Sequence, residues 1–147
     1  MPQTDLRDIE KALLPLWYDD VQPAKVNLAL AYYGRGYTTE NTNFMQVGCQ
    51  YTGPSTQGTC TGLDGIMSNA EIQKLIQSKG LHPQLLIEAA VQQITWDNQW
   101  MSYDDETTIA IKLYYANKHC LGGTVIWSID FGSGSARYVI HFRPPIL

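Results

Sequence analysis

The chain has 147 residues, 44% of them apolar and 16% charged, with a net charge of −4, which describes one globular domain and not a disordered chain. No Lys/Arg cluster occurs, which argues against nucleic acid and anionic membrane surfaces as partners, and no apolar run reaches the ~18–20 residues of a membrane span. The polar, acidic start Met1–Glu10 does not have the pattern of a signal peptide.

In chain order, residues 5–18 are predicted as a helix. Leu6, Ile9, Leu13, Leu16 and Trp17 recur at helical spacing, Thr4 or Asp5 can cap it, and Asp5, Asp8 and Glu10 suit its positive end. Residues 26–33 form a nearly continuous apolar run, the pattern of a strand buried on both faces. Gly34 and Gly36 then release the chain into a long surface loop, 38–65, rich in Thr, Asn, Gly, Pro and Gln. Ser68-Asn-Ala-Glu71 is a capping box opening a helix that ends before Gly80. Residues 85–91 fit strand or helix equally, and 94–103 alternate like a strand pair. Asp104 and Asp105 cap a helix to about Asn117, and after Gly122 and Gly123 residues 124–129 form a second buried strand. Helix–strand units at both ends, with continuously apolar strands, imply a parallel sheet around a separate α+β piece.

Cys49 and Cys60 sit eleven residues apart in the turn-rich loop, with Cys120 far downstream. A short loop closed by two Cys reads as a disulfide, and no Cys-x-x-Cys or Cys/His pair has the spacing of a zinc site. A disulfide points to an oxidising compartment. Its presence beside a leaderless start, and two strands too few to close a barrel, give the expectation that the chain is a truncated piece of a secreted protein. No cofactor is expected. His82, His119 and His141 share no ligand spacing and receive no role.

Lys25-Val-Asn-Leu-Ala-Leu-Ala-Tyr-Tyr-Gly-Arg-Gly-Tyr-Thr38 resembles the seventh barrel strand of family 18 glycoside hydrolases, the chitinases, with the Tyr-Gly-Arg run after it. Cys60-Thr-Gly-Leu-Asp-Gly-Ile-Met-Ser-Asn-Ala-Glu-Ile72 is similar to the start of their α+β insertion domain. Trp100-Met-Ser-Tyr-Asp-Asp105 and Gly122-Gly-Thr-Val-Ile-Trp-Ser-Ile-Asp130 resemble the return to the barrel and its eighth strand. The three pieces are collinear over roughly residues 4–130. The Cys-rich loop and Cys120-Leu-Gly-Gly123 look most like fungal members related to yeast killer-toxin chitinase subunits, although Phe44 stands near the place of one further cysteine.

The resemblance implies an α/β fold with an α+β insertion, the incomplete C-terminal portion of a (β/α)8 TIM barrel, which when complete takes roughly 250 residues. The implied division is 1–38 for a barrel helix and the seventh strand, 39–99 for the insertion, 100–134 for a helix and the eighth strand, and 135–147 for an unmatched tail. The implied partner is chitin or its oligosaccharides, and the implied setting is extracellular. Family 18 enzymes hydrolyse by substrate assistance: the substrate's own N-acetyl oxygen attacks, while one Glu protonates the leaving oxygen. That Glu belongs to an Asp-x-x-Asp-x-Asp-x-Glu run, and no such run occurs in these 147 residues. No catalytic residue is therefore assigned. Trp127 matches the Trp on which the sugar face stacks, and Tyr33 and Arg35 match residues that hydrogen-bond the sugar and the catalytic carboxylates. Ordinary packing is the competing reading of Trp127, and a turn Tyr with a solvated Arg that of the other two. Trp96 and Trp100 are expected to be structural, and Asp104-Asp105 a cap and not an acid/base pair.

Overall fold

The computed structural model describes residues 2–131. The tail 135–147, with His141, lies outside the described residues, as does the Gly132-Ser-Gly134 run.

Helix α1 (Leu6–Tyr18) starts at Asp5, whose carboxylate accepts the Arg7 amide at 2.9 Å, so of the two expected caps Asp5 is used. A 3-10 turn at Pro23–Lys25 leads into β1 (Asn27–Ala31). Its partner β8 (Gly123–Trp127) runs parallel to it, Asn27 opposite Gly123 and Ala31 opposite Trp127. Helix α1 and helix α3 (Glu106–Lys118) cover one face of this pair. Leu28, Leu30 and Tyr32 pack there with Ile109, Ala116 and Leu121, backed by Ile9, Trp17 and Ile126.

The opposite face of the pair is open. Val125 is 46% exposed and Trp127 64%, and Asn27 and Ala29 also face solvent. This corrects the expectation of strands buried on both faces. The strands carry the composition of a doubly covered sheet, but among the described residues only one layer of helices packs on them.

A second correction concerns Gly34 and Gly36. They do not release the chain: Tyr33–Thr39 is itself a strand, β2, and the centre of a six-stranded antiparallel sheet. On one side β2 pairs with β3 (Tyr51–Pro54) and β4 (Ile66–Ser68), and on the other with β7 (Gln99–Tyr103). Next come β6 (Val91–Trp96) and β5 (Gln84–Leu86), which settles the ambiguous 85–91 segment as strand, turn and strand. The glycines serve close packing. A Cβ on Gly34 would lie 2.7 Å from Ile72 Cδ1, and one on Gly36 would lie 2.5 Å from Ser55 Oγ. Both contacts are tighter than van der Waals separation permits.

Helix α2 (Asn69–Lys79) covers one face of the six-stranded sheet. The capping box forms as expected between Ser68 and Glu71, and Gly80 closes the helix at φ 62°, in the left-handed region that favours glycine. Ile72, Met67, Ile94, Trp96, Met101 and Tyr103 make the core beneath it.

Candidate functional site

The sequence-predicted residues gather where the two sheets meet. Trp127 ends β8, and its carbonyl accepts the Tyr32 amide at 2.9 Å, fixing the end of β1 beside it. Its ring is mostly exposed, on the side of the sheet away from α1 and α3, and the Trp127–Ser128 peptide is cis. Of the four tryptophans, Trp96 and Trp100 are 7% and 3% exposed. Both are structural, as expected.

Tyr33 opens β2, half-buried, its ring edge-on to Phe131 with centroids 6.0 Å apart and planes at 65°. Phe131 also packs against the core beneath β1, so it is the wall that sets where the Tyr33 ring stands. Two positions on, Arg35 is exposed and has no ion-pair partner among the described residues. Alternation along a strand puts Tyr33, Arg35 and Tyr37 on one face. That face is the one opposite α2, because Gly34 meets Ile72 and Met101. Trp127, Tyr33 and Arg35 thus mark a surface running from the end of β8 onto the six-stranded sheet. A flat exposed indole, a phenol and a free guanidinium suit a neutral polyhydroxylated ligand: the ring takes an apolar C–H face and the polar groups take its hydroxyls.

The expected Cys49–Cys60 disulfide is not formed: Cys49, Cys60 and Cys120 are all free thiols. The two loop cysteines are held on different faces of the sheet. Cys49 ends a turn closed by its amide on the Gln46 carbonyl and lines a hollow with Tyr37, Tyr51 and Trp100. Cys60 lines another with Trp96 and Glu71, on the α2 side. Its amide is held by Glu71 Oε1 at 2.6 Å. Glu71 also accepts from the Thr61 amide and hydroxyl and from the Ser68 amide and hydroxyl. Burial works to raise its pKa, but these donors outweigh it and hold the carboxyl at about 2.

Asp105 caps α3 in a capping box with Thr108, as the sequence indicates. Its neighbour Asp104 does something local signals do not announce. Asp104 and Lys112 form an ion pair at 2.5 Å with both side chains fully buried. The Thr108 hydroxyl donates to one Asp104 oxygen and the Thr4 hydroxyl to the other, while Lys112 donates to Thr4 at 2.7 Å. Burial pushes the Asp104 carboxyl up and the Lys112 amine down, against the attraction each feels for the other. The available clue was Lys112 on the same helical face as Thr108, Ile109, Tyr115 and Ala116, all buried. Among the described residues, no group of three or more His, Cys, Asp or Glu side chains is placed to hold a metal ion.

Known proteins resemble this chain over most of its described length. The family model described as Glycosyl hydrolases family 18 matches residues 3–132. Chitotriosidase-1 of Mus musculus is 31% identical over 120 residues, covering 81% of this chain and 25% of the mouse protein. Chitinase-3-like protein 2 of Homo sapiens is 30% identical over 115 residues, 78% of this chain and 29% of that one. Among solved structures, human YKL-39 superposes with a TM-score of 0.77 at 29% identity, covering 83% of this chain and 33% of that one. YKL-39 is described as a pseudo-chitinase with retained chitooligosaccharide binding. A chitinase of Cycas revoluta, solved in complex with (GlcNAc)4, superposes at 0.72 with 26% identity over 81% of this chain and 33% of that one. The chain therefore spans a quarter to a third of the length of these relatives.

Proposed function

Because the chain belongs to glycoside hydrolase family 18, we propose that it binds N-acetylglucosamine oligomers of chitin without cleaving them on its own. Trp127 is the stacking floor, with Tyr33 and Arg35 beside it. The observation that carries this reading is the exposure of Trp127, 64%, at the end of β8 next to the end of β1. In barrel enzymes the site lies at the C-terminal ends of the strands. A large aromatic surface left open there is a binding surface before it is a packing defect.

The missing Asp-x-x-Asp-x-Asp-x-Glu run supports binding without hydrolysis. Catalytic groups that act together leave little behind when the acid is absent. The pseudo-chitinase description of YKL-39 supports the separability of the two properties within the family. In this reading the two-stranded sheet is the seventh and eighth strands of a (β/α)8 barrel, and the six-stranded unit is its α+β insertion. The chain is then the C-terminal part of a secreted chitinase-like protein whose remaining strands complete the cleft. The turn-rich 49–60 segment and Cys120-Leu-Gly-Gly123 support placing it near fungal members related to killer-toxin subunits.

Tryptophan emission tests the proposal directly, since Trp127 is the exposed indole. Titration of the chain with (GlcNAc)4 is expected to give a saturable change that disappears in Trp127→Ala, with no product in a chitinase assay on the same preparation. A flat titration sinks the binding reading, and oligosaccharide cleavage sinks the non-catalytic one.

A further inference from the structure

On the α2 side of the six-stranded sheet, away from the Tyr33–Arg35 face, a cleft of about 540 Å³ opens between the helix and residues 56–60. Its floor is apolar, made of Met67, Leu75 and Trp96. Its outer wall is the loop, and the loop is fixed. The Thr56 amide donates to Gln99 Oε1 at 2.9 Å, and the Cys60 amide to Glu71 Oε1 at 2.6 Å. Gly58 is buried against the Glu71 carboxylate, with no room there for a Cβ. The volume is in the range of small-molecule sites, and the walls are already in place.

Glu71 and Lys74 are the charged side chains of the lining, and they are not equivalent. The Glu71 oxygens already accept from three amides and two hydroxyls, which take up its charge, so a cationic ligand gains no free acceptor there. Lys74 is exposed, about one helical turn further on, with no ion-pair partner among the described residues. A wholly apolar ligand would strip water from that ammonium without replacing its hydrogen bonds. A sugar ring finds no stacking plane, since Trp96 is only 7% exposed. The lining instead suits an apolar body ending in an anion, which keeps the floor dry and gives Lys74 a charge-assisted hydrogen bond.

We propose that the cleft between α2 and residues 56–60 binds a small monocarboxylate of the medium-chain fatty-acid class, its chain on Met67, Leu75 and Trp96 and its carboxylate on Lys74. This site stands apart from the Trp127 surface and does not depend on it. The exposed Cys60 thiol on the lining serves as a reporter. The full chain is titrated with octanoate by calorimetry, and the alkylation of each cysteine by iodoacetamide is followed by peptide mass spectrometry over the same concentrations. Octanoate is expected to bind saturably and to slow alkylation of Cys60 with the same midpoint, while Cys49 and Cys120 react at an unchanged rate. Lys74→Gln, on the exposed side of α2, is expected to raise that midpoint about fivefold, and Trp127→Ala to leave it where it was. Octylammonium, with the same chain and the opposite charge, is expected to give no protection. An absence of saturable heat, heat without protection of Cys60, or equal slowing at all three cysteines overturns the proposal. So does a Lys74→Gln midpoint equal to that of wild type, protection by octylammonium, or binding lost in Trp127→Ala. Each of these outcomes leaves the oligosaccharide reading to its own titration.

Discussion

The two sheets of this molecule bury their strands in opposite ways. The six-stranded sheet supplies its own neighbours: β2 is paired on both edges, and α2 closes one face over Ile72, Ile94 and Met101, each of them at most 1% exposed. The two-stranded sheet has richer strand composition and less to show for it. Leu28 and Leu30 are buried by α1 and α3, while Ala29, Val125 and Trp127 on the other face meet solvent. Apolar content in a strand thus states what the strand is suited to touch, and burial depends on what is there to touch it. The first sheet is organised by packing on both edges and one face, and the second leaves one face uncovered among the described residues.

The sharpest way to break this contrast is at the joint between the two units. Lys112→Met leaves the Asp104 carboxylate buried with only hydroxyl donors, and is expected to cost about 3–5 kcal/mol in urea unfolding. Adding Asp104→Leu removes the stranded charge and is expected to restore most of that loss. A single variant as stable as wild type would mean that the buried pair does not hold the units together.

Glu71→Gln acts inside the six-stranded unit. The Glu71 carboxyl titrates at about 2 in the folded chain against 4.5 ordinarily. Its ionised form therefore adds stability that is fully present above about pH 4.5 and is lost as pH falls toward 2. Removing the charge is expected to cost roughly 1–3 kcal/mol at neutral pH. It should also flatten the acid side of the stability profile between those two values. An unchanged acid limb would show that the loop 58–61 is held by other contacts.

Val125→Ala is the smallest of the three. On the open face its expected cost is within about 0.5 kcal/mol, whereas the same truncation in a closed core costs several times that. A core-sized loss at Val125 would show that this face is covered in solution, and the contrast between the sheets would fail.

Local signals account for what was legible beforehand. The Ser68–Glu71 box, Gly80 and the Asp105 cap act within a few residues of themselves, and α2 begins and ends, and α3 begins, where they say. β2 was missed because Gly34 and Gly36 look like chain breakers until Ile72 and Met101 are known to press against them. The same non-locality hid the pairing of Asp104 with Lys112 and Thr4, and the placement of Cys49 and Cys60 on different faces. Trp127, Tyr33 and Arg35 were identified through the family pattern, whereas Phe131 behind Tyr33 and the Tyr37–Tyr51–Trp100 group needed the sheet register. Alternation at 33, 35 and 37 was the one available hint.

The Thr4–Lys112 hydrogen bond joins positions 108 residues apart, and Thr4 to Asp104 spans 100. Synthesis runs from the N-terminal side, so Asp104 and Lys112 are made 100 and 108 residues after Thr4. The segment around Thr4 must wait, unsatisfied, until α3 emerges, so assembly of the joint is a late, long-range event in which loop closure comes before any compensating contact. Contacts made late in folding act mainly on the rate of unfolding, so destabilising this joint should speed opening of the folded molecule and expose it to proteolysis.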